Sequence, residues 1–107
     1  MRGKSIRVQF IHGLEGSPQG SKARLFDKHF DACTPSMPTE DLEASVQVQV
    51  EALKTFAPEV VVGSSFGGAV AVELLKRRLW SGPTLLLAQA AYRYDPDASL
   101  PKGVPVW

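Results

Sequence analysis

Apolar residues along this chain follow two rhythms that alternate with one another. Ile6, Val8 and Phe10 occupy every second position, which predicts a half-buried strand over residues 6–11. The run stops at His12-Gly13, and the turn formers of residues 13–20 predict a loop. Ser21 is placed to cap a helix reaching about residue 30, with Leu25, Phe26 and Phe30 turned inward and Asp27 and Lys28 outward. A short strand over 32–34 then ends at Pro35.

The next segment fits both periods. Residues 45–50 alternate Val with polar residues as a strand would, yet Leu42, Val46, Val50, Leu53 and Ala57 are spaced by 4, 4, 3 and 4. The longer stripe, a start at Thr39-Glu40-Asp41 and a stop at Pro58 together predict a helix over 40–57. Val60-Val61-Val62 reads as a strand buried on both faces. A helix over 67–79 follows, stopped by Ser81-Gly82-Pro83, then a buried strand over 84–88 and the start of another at Val104. Strands alternating with helices predict an α/β domain with a parallel β-sheet and helices on both faces. The loops at Gly13, Ser65 and Gln89 are then expected to open onto one rim, at the carboxyl ends of the strands.

Composition narrows the function. Lysine and arginine total 12 against 11 acidic residues, a net charge of +1, so no basic face for nucleic acid is expected. Apolar runs fall well short of the about 20 residues of a membrane helix, and MRGKSIRVQF lacks the apolar stretch of a secretory leader. The single cysteine, Cys33, allows no internal disulfide and no cysteine-rich metal site. A cytoplasmic protein without metal or cofactor, and without a membrane partner, is the expectation.

The sharpest chemical signal is Gly63-Ser64-Ser65-Phe66-Gly67, a G-x-S-x-G motif between a buried strand and a helix. That strand-turn-helix setting is what a nucleophile elbow requires, with small residues two before and two after the serine. Ser65 would stand at a helix N-terminus, where free N–H groups favour a developing negative charge. The alternative is a glycine-rich turn that only permits close packing. The second signal is His12-Gly13-Leu14-Glu15-Gly16. Acyl transfer needs two N–H donors for its oxyanion, and the amides of Leu14 and Phe66 fit those roles, with His12, Gly13, Gly63 and Gly67 as structural support. An ordinary turn is the plainer reading of the His12 loop.

These motifs, with residues 12–24 (HGLEGSPQGSKAR) and the terminal Val104-Pro105-Val106-Trp107, resemble the α/β-hydrolase fold, and within it small bacterial esterases of the YqiA/YcfP type. The resemblance implies a three-layer sandwich and a serine hydrolase acting on acyl esters or thioesters. It covers nearly the whole chain but about two-thirds of the family's domain, so the remainder, with the catalytic acid and base, is expected beyond Trp107, in the same or a separate chain. The fragment alone is then expected to be inactive.

The chain's own candidates for those roles are few. His29 lies late in the first helix, away from the rim; His12 lies on the rim but shapes the oxyanion loop in this fold. Asp95-Pro96-Asp97 reads as a turn, and Tyr92 and Tyr94 as acyl-pocket or ordinary rim aromatics. Residues 16–22 (GSPQGSK) hint at a phosphate loop but lack the G-x-x-x-x-G-K-[ST] order. Lys76-Arg77-Arg78 reads as a solvated helix end, and Cys33 as a structural thiol. About 15 residues separate 88 from Val104, too few for a lid with its own core, so an open site preferring short, soluble esters is expected. The rival expectation is a hydrolase-like domain that binds without turnover.

Overall fold

A computed structural model describes residues 6–14, 17, 19–87 and 102–107 of the chain. Its order is β1 (Arg7–Ile11), α1 (Ser21–His29), β2 (Asp31–Cys33), α2 (Leu42–Phe56), β3 (Val60–Ser64), α3 (Phe66–Lys76) and β4 (Thr84–Leu87). The four strands form one all-parallel sheet in the order β2-β1-β3-β4. This is the expected α/β class. Val106 adds a parallel bridge to Thr84, secured by Trp107 N–H donating to the Thr84 carbonyl at 2.9 Å. Among the described residues no helix is long and apolar enough to cross a membrane.

Alternation along β1 and β3 divides the core between the two faces of the sheet. Val8, Phe10 and Val62 pack with Ala23, Phe26 and Phe30 of α1 and its end, and the Phe10 and Phe26 rings stack at 5.2 Å. Ile11 and Val61, from the opposite phase, pack with Val46 of α2 and Phe66, Val70 and Leu74 of α3. β1 and β3 are hydrogen-bonded neighbours, but α1 leaves β1 toward one face and α3 leaves β3 toward the other. The strand order reverses at this point, which opens a crevice at the carboxyl ends of the two strands.

Three expectations change in α1 and α3. Gly20, not Ser21, is the N-cap of α1, and no side chain caps it. Leu25 is exposed, because the buried stripe of α1 runs through Ala23, Phe26 and Phe30. Helix α3 stops at Lys76 rather than near 79: Arg78 takes φ 57° and Leu79 N–H donates back to the Leu74 carbonyl at 2.9 Å. That bond closes a Schellman-type turn, normally a glycine's position, with an arginine.

Helix α2 resolves the ambiguous segment as a helix, capped by Asp41, whose carboxylate accepts from Ala44 N–H at 3.0 Å. Its inward stripe is less apolar than the spacing implies: Ser45 and Gln49 are fully buried beside Val46, while Ala57 is the exposed, left-handed C-cap. Gln49 meets Gln9 of β1, whose Nε2 donates to Gln49 Oε1 at 2.7 Å and to its carbonyl at 3.2 Å. At the other end of the α2–α3 contact, Arg77 ties buried Glu73, at 3.0 Å from its Nε, to Glu43 of α2. The hydrogen bonds from Arg77 hold the Glu43 carboxyl below the usual range. A depressed carboxyl stabilises the fold above its unfolded pKa, so this tie is present at neutral pH and lost as acid protonates Glu43.

The glutamine pair leaves Gln9 Oε1 and Gln49 Nε2 buried without partners among the described residues. An unpaired buried polar atom costs about 1–3 kcal/mol, more than the roughly 1 kcal/mol net gain of one hydrogen bond. Gln9→Met, which strands Gln49 Oε1 as well, is expected to destabilise by about 1–3 kcal/mol, whereas Gln9→Met/Gln49→Met together should be at least as stable as the parent. Urea denaturation of the parent, the single and the double variant reads both; a double variant weaker than the single would contradict this account.

Candidate active site

The register of the sheet assembles the site. Ile11 pairs with Gly63 and Ser64 with Leu87, so the chain beyond β1 runs beside the chain beyond β3. Gly13 lies against the elbow there. A Cβ at Gly13 would stand 3.2 Å from both the Ser64 carbonyl oxygen and Ser65 Cβ, and 3.7 Å from Ser65 Oγ. The structure thus brings the two glycine motifs into contact.

Ser65 has φ 57° and ψ −120°, immediately before the first residue of α3. An L-residue rarely adopts this conformation, and holding it costs on the order of 1–3 kcal/mol. The surroundings enforce it. Ser65 N–H donates to the Leu87 carbonyl at 2.9 Å, and its own carbonyl accepts from Gly68 N–H at 2.8 Å. Ser64 and Phe66 on either side are buried while Ser65 is exposed, so the sharp turn lifts one residue out of an otherwise buried strand-to-helix junction.

That turn depends on two glycines. A Cβ on Gly67 would lie 2.6 Å from the Ile11 carbonyl carbon and 2.7 Å from the His12 carbonyl oxygen. A Cβ on Gly63 would lie 2.5 Å from the Gly67 carbonyl oxygen and 2.9 Å from Gly68 Cα. All of these are backbone atoms, which cannot swing away as a side-chain tip can.

His12 is 4% exposed. Its Nδ1 lies 2.9 Å from the Gly13 carbonyl oxygen, an acceptor, so Nδ1 carries the proton. Its Nε2 is buried with no hydrogen-bond partner among the described residues. His29 is exposed at the last turn of α1, which runs back from the rim, and neither histidine is hydrogen-bonded to Ser65. Burial, then the Asp31 carboxylate, pushes the Cys33 thiol up, which keeps it protonated and a poor nucleophile. The motif elements Glu15, Gly16 and Pro18, and the candidates Gln89, Tyr92, Tyr94, Asp95 and Asp97, lie outside the described residues.

A cavity of about 430 Å³ opens beside Ser65, walled by Phe10, His12, Gly13 and Leu14 on one side and by Ser17, Ser21, Lys22 and Ala23 of the loop and α1 on the other. Sequence reading had no access to this second wall; the one signal was the Gly-Ser-Lys run at residues 20–22, which lacks the phosphate-loop order. A larger hollow of about 570 Å³ between α1 and β2 shares Ala23 with it but holds no residue of either glycine motif. Among the described residues no three His, Cys, Asp or Glu side chains gather as a metal site would need.

Comparison of the chain with protein-family models, with curated proteins and with solved structures gives no match.

The glycine contacts set an order of sensitivity. Gly67→Ala is expected to destabilise the protein by about 3 kcal/mol or more, because α3 must withdraw from β1, while Gly13→Ala, with neighbours near 3.2 Å, should cost about 1 kcal/mol. Denaturant midpoints measure both, and a Gly67→Ala variant as stable as Gly13→Ala would show that α3 is not pinned there.

Proposed function

We propose that this protein is a serine hydrolase of carboxylic esters or thioesters, with an α/β-hydrolase-like three-layer sandwich similar to small bacterial YqiA/YcfP-type esterases, acting in the cytoplasm. The observation that carries the reading is the backbone of Ser65, held at φ 57° and ψ −120° with its hydroxyl exposed at the start of α3. Strain of this kind persists where the surroundings over-determine it, and an exposed serine gains nothing in packing from it.

In this reading Ser65 Oγ attacks the acyl carbonyl carbon as a base takes its proton. The carbonyl oxygen becomes an oxyanion between the amides of Leu14 and Phe66, one from each glycine motif. Collapse expels the alcohol or thiol, which receives the proton from the base, and water then releases the acid from Ser65 by the same steps in turn. His12, committed through Nδ1 to Gly13, shapes the oxyanion loop with Gly13, while Gly63 and Gly67 permit the elbow. Neither His12 nor His29 is hydrogen-bonded to Ser65, so the residue that serves as its base is left unassigned among the described residues. A binding domain without turnover is the second reading, and it draws on the lack of any histidine hydrogen-bonded to Ser65.

A fluorophosphonate probe tests the nucleophile, since it reports a reactive serine without needing the natural substrate. The expected outcome is labelling of the protein, abolished in Ser65→Ala, together with a fall in p-nitrophenyl ester hydrolysis of about 10⁴-fold or more. Labelling that persists at full strength in Ser65→Ala would place the nucleophile elsewhere. No labelling of the parent would favour the binding domain.

A further inference from the structure

We propose that the side chain of Leu14 selects the esters that the cavity beside Ser65 accepts, by packing against an apolar acyl chain longer than acetyl. The proposal deepens the hydrolase reading and rests on it only in taking that chain to be the acyl part of a substrate. In that reading the Leu14 amide serves the oxyanion and its side chain has no role.

The first observation is where Leu14 stands. It is 48% exposed and joins none of the packed apolar clusters among the described residues. A single exposed leucine is ordinary on a protein surface. This one differs in its place. Among the described residues the large apolar side chains left exposed are Ile6, Leu14, Leu25, Leu79 and Trp107, and of these Leu14 alone lines the cavity that Ser65 lines. Ser65 is exposed too, so the leucine and the hydroxyl are both open to the same ligand.

The second observation is that Leu14 is held there. The Gly13 carbonyl belongs to the same peptide group as the Leu14 N–H, and it accepts from the buried His12 ring at 2.9 Å. Gly13 itself is wedged against the elbow, so closely that a Cβ would stand 3.2 Å from Ser65 Cβ. Both restraints fix the backbone at Leu14, and neither gives its side chain an apolar partner. The facing wall is polar where it is accessible, with Ser17, Ser21 and Lys22. An acyl chain laid across that wall would strip water from hydroxyls and an ammonium group. Laid on Leu14 it removes two apolar surfaces from water at once.

Binding is measured without turnover, by titrating the full chain carrying Ser65→Ala with ethyl acetate and ethyl butanoate and following the ¹³C methyl resonances of its leucines. The two esters differ only in the length of the acyl chain. Saturable shifts at the Leu14 methyls are expected, with the butanoate bound about ten-fold tighter than the acetate. Leu14→Ser, a change at an exposed side chain that leaves the amide in place, should reduce that preference to about two-fold or less, and Leu14→Met should keep most of it. Leu25→Ser, at an exposed leucine that does not line the cavity, should leave the preference unchanged. A preference that survives in Leu14→Ser, that is lost equally in Leu25→Ser, or that comes without saturable shifts at Leu14 would overturn the proposal. Fluorophosphonate labelling of Ser65 is scored separately in the parent. Chain-length preference at Leu14 in a protein that is not labelled would uphold the apolar subsite and count against the hydrolase reading alone.

Discussion

The first turn of α3 lies so close to the end of β1 that only a hydrogen atom fits at Gly67 between helix and carbonyls. The other features of the site follow from this contact. With α3 seated there, the chain leaving β3 has one residue in which to turn from strand to helix, and that residue is Ser65 at positive φ. The strain, on the order of 1–3 kcal/mol, is small against what the seating secures. Residues 66–75 of α3 are all buried, and full burial of Phe66, Val70 or Leu74 is worth about 1.5–3 kcal/mol each. The helix cannot relax the elbow by lifting away without giving up more apolar contact than the strain returns.

Much of this was legible in the sequence, and for identifiable reasons. Val60-Val61-Val62 is too short and too β-branched for a helix, and glycines two residues either side of Ser65 have few uses other than close backbone approach. The helical period of α2 was visible because the helix is fifteen residues long, longer than any alternating strand here. The failures are equally physical. Leu25 is as apolar as Phe26, and only the position of α1 over Phe10 decides which one is buried. The end of α3 depends on Arg78 accepting a left-handed conformation, for which an arginine gives no sign. Gln9 and Gln49 look like solvent-facing residues because polarity predicts exposure, until each supplies the other's partner across the β1–α2 contact.

Two polar ties fix α2, and they differ in kind. The Gln9–Gln49 bond is wholly buried and leaves one atom of each amide without a partner among the described residues, so it specifies alignment more than it adds stability. The Glu73–Arg77–Glu43 chain joins a buried carboxylate to an exposed one through a single guanidinium. Most of its value lies in satisfying Glu73, which Lys76 Nζ also approaches at 3.5 Å, because an exposed pair such as Arg77–Glu43 contributes little in water whereas a buried charge needs its partners. Between them the two ties hold α2 against both β1 and α3, the elements that meet at the elbow.

One residue step at the end of β1 separates the packed core from the rim. Ile11 points into the α2–α3 core and His12, the next residue, points to the α1 face. Their two carbonyl groups together form the surface against which Gly67 is packed. The backbone that pins α3 is therefore the same backbone that orients the His12 ring. Because β1 and β3 send their helices to opposite faces, that ring lies buried beside the crevice between them. The apolar alternation of Val8 and Phe10 would call for a third apolar residue at position 12 if the position were only structural. A buried imidazole there, with Nδ1 bonded to the Gly13 carbonyl and Nε2 without a partner among the described residues, carries a cost that apolar packing alone does not explain.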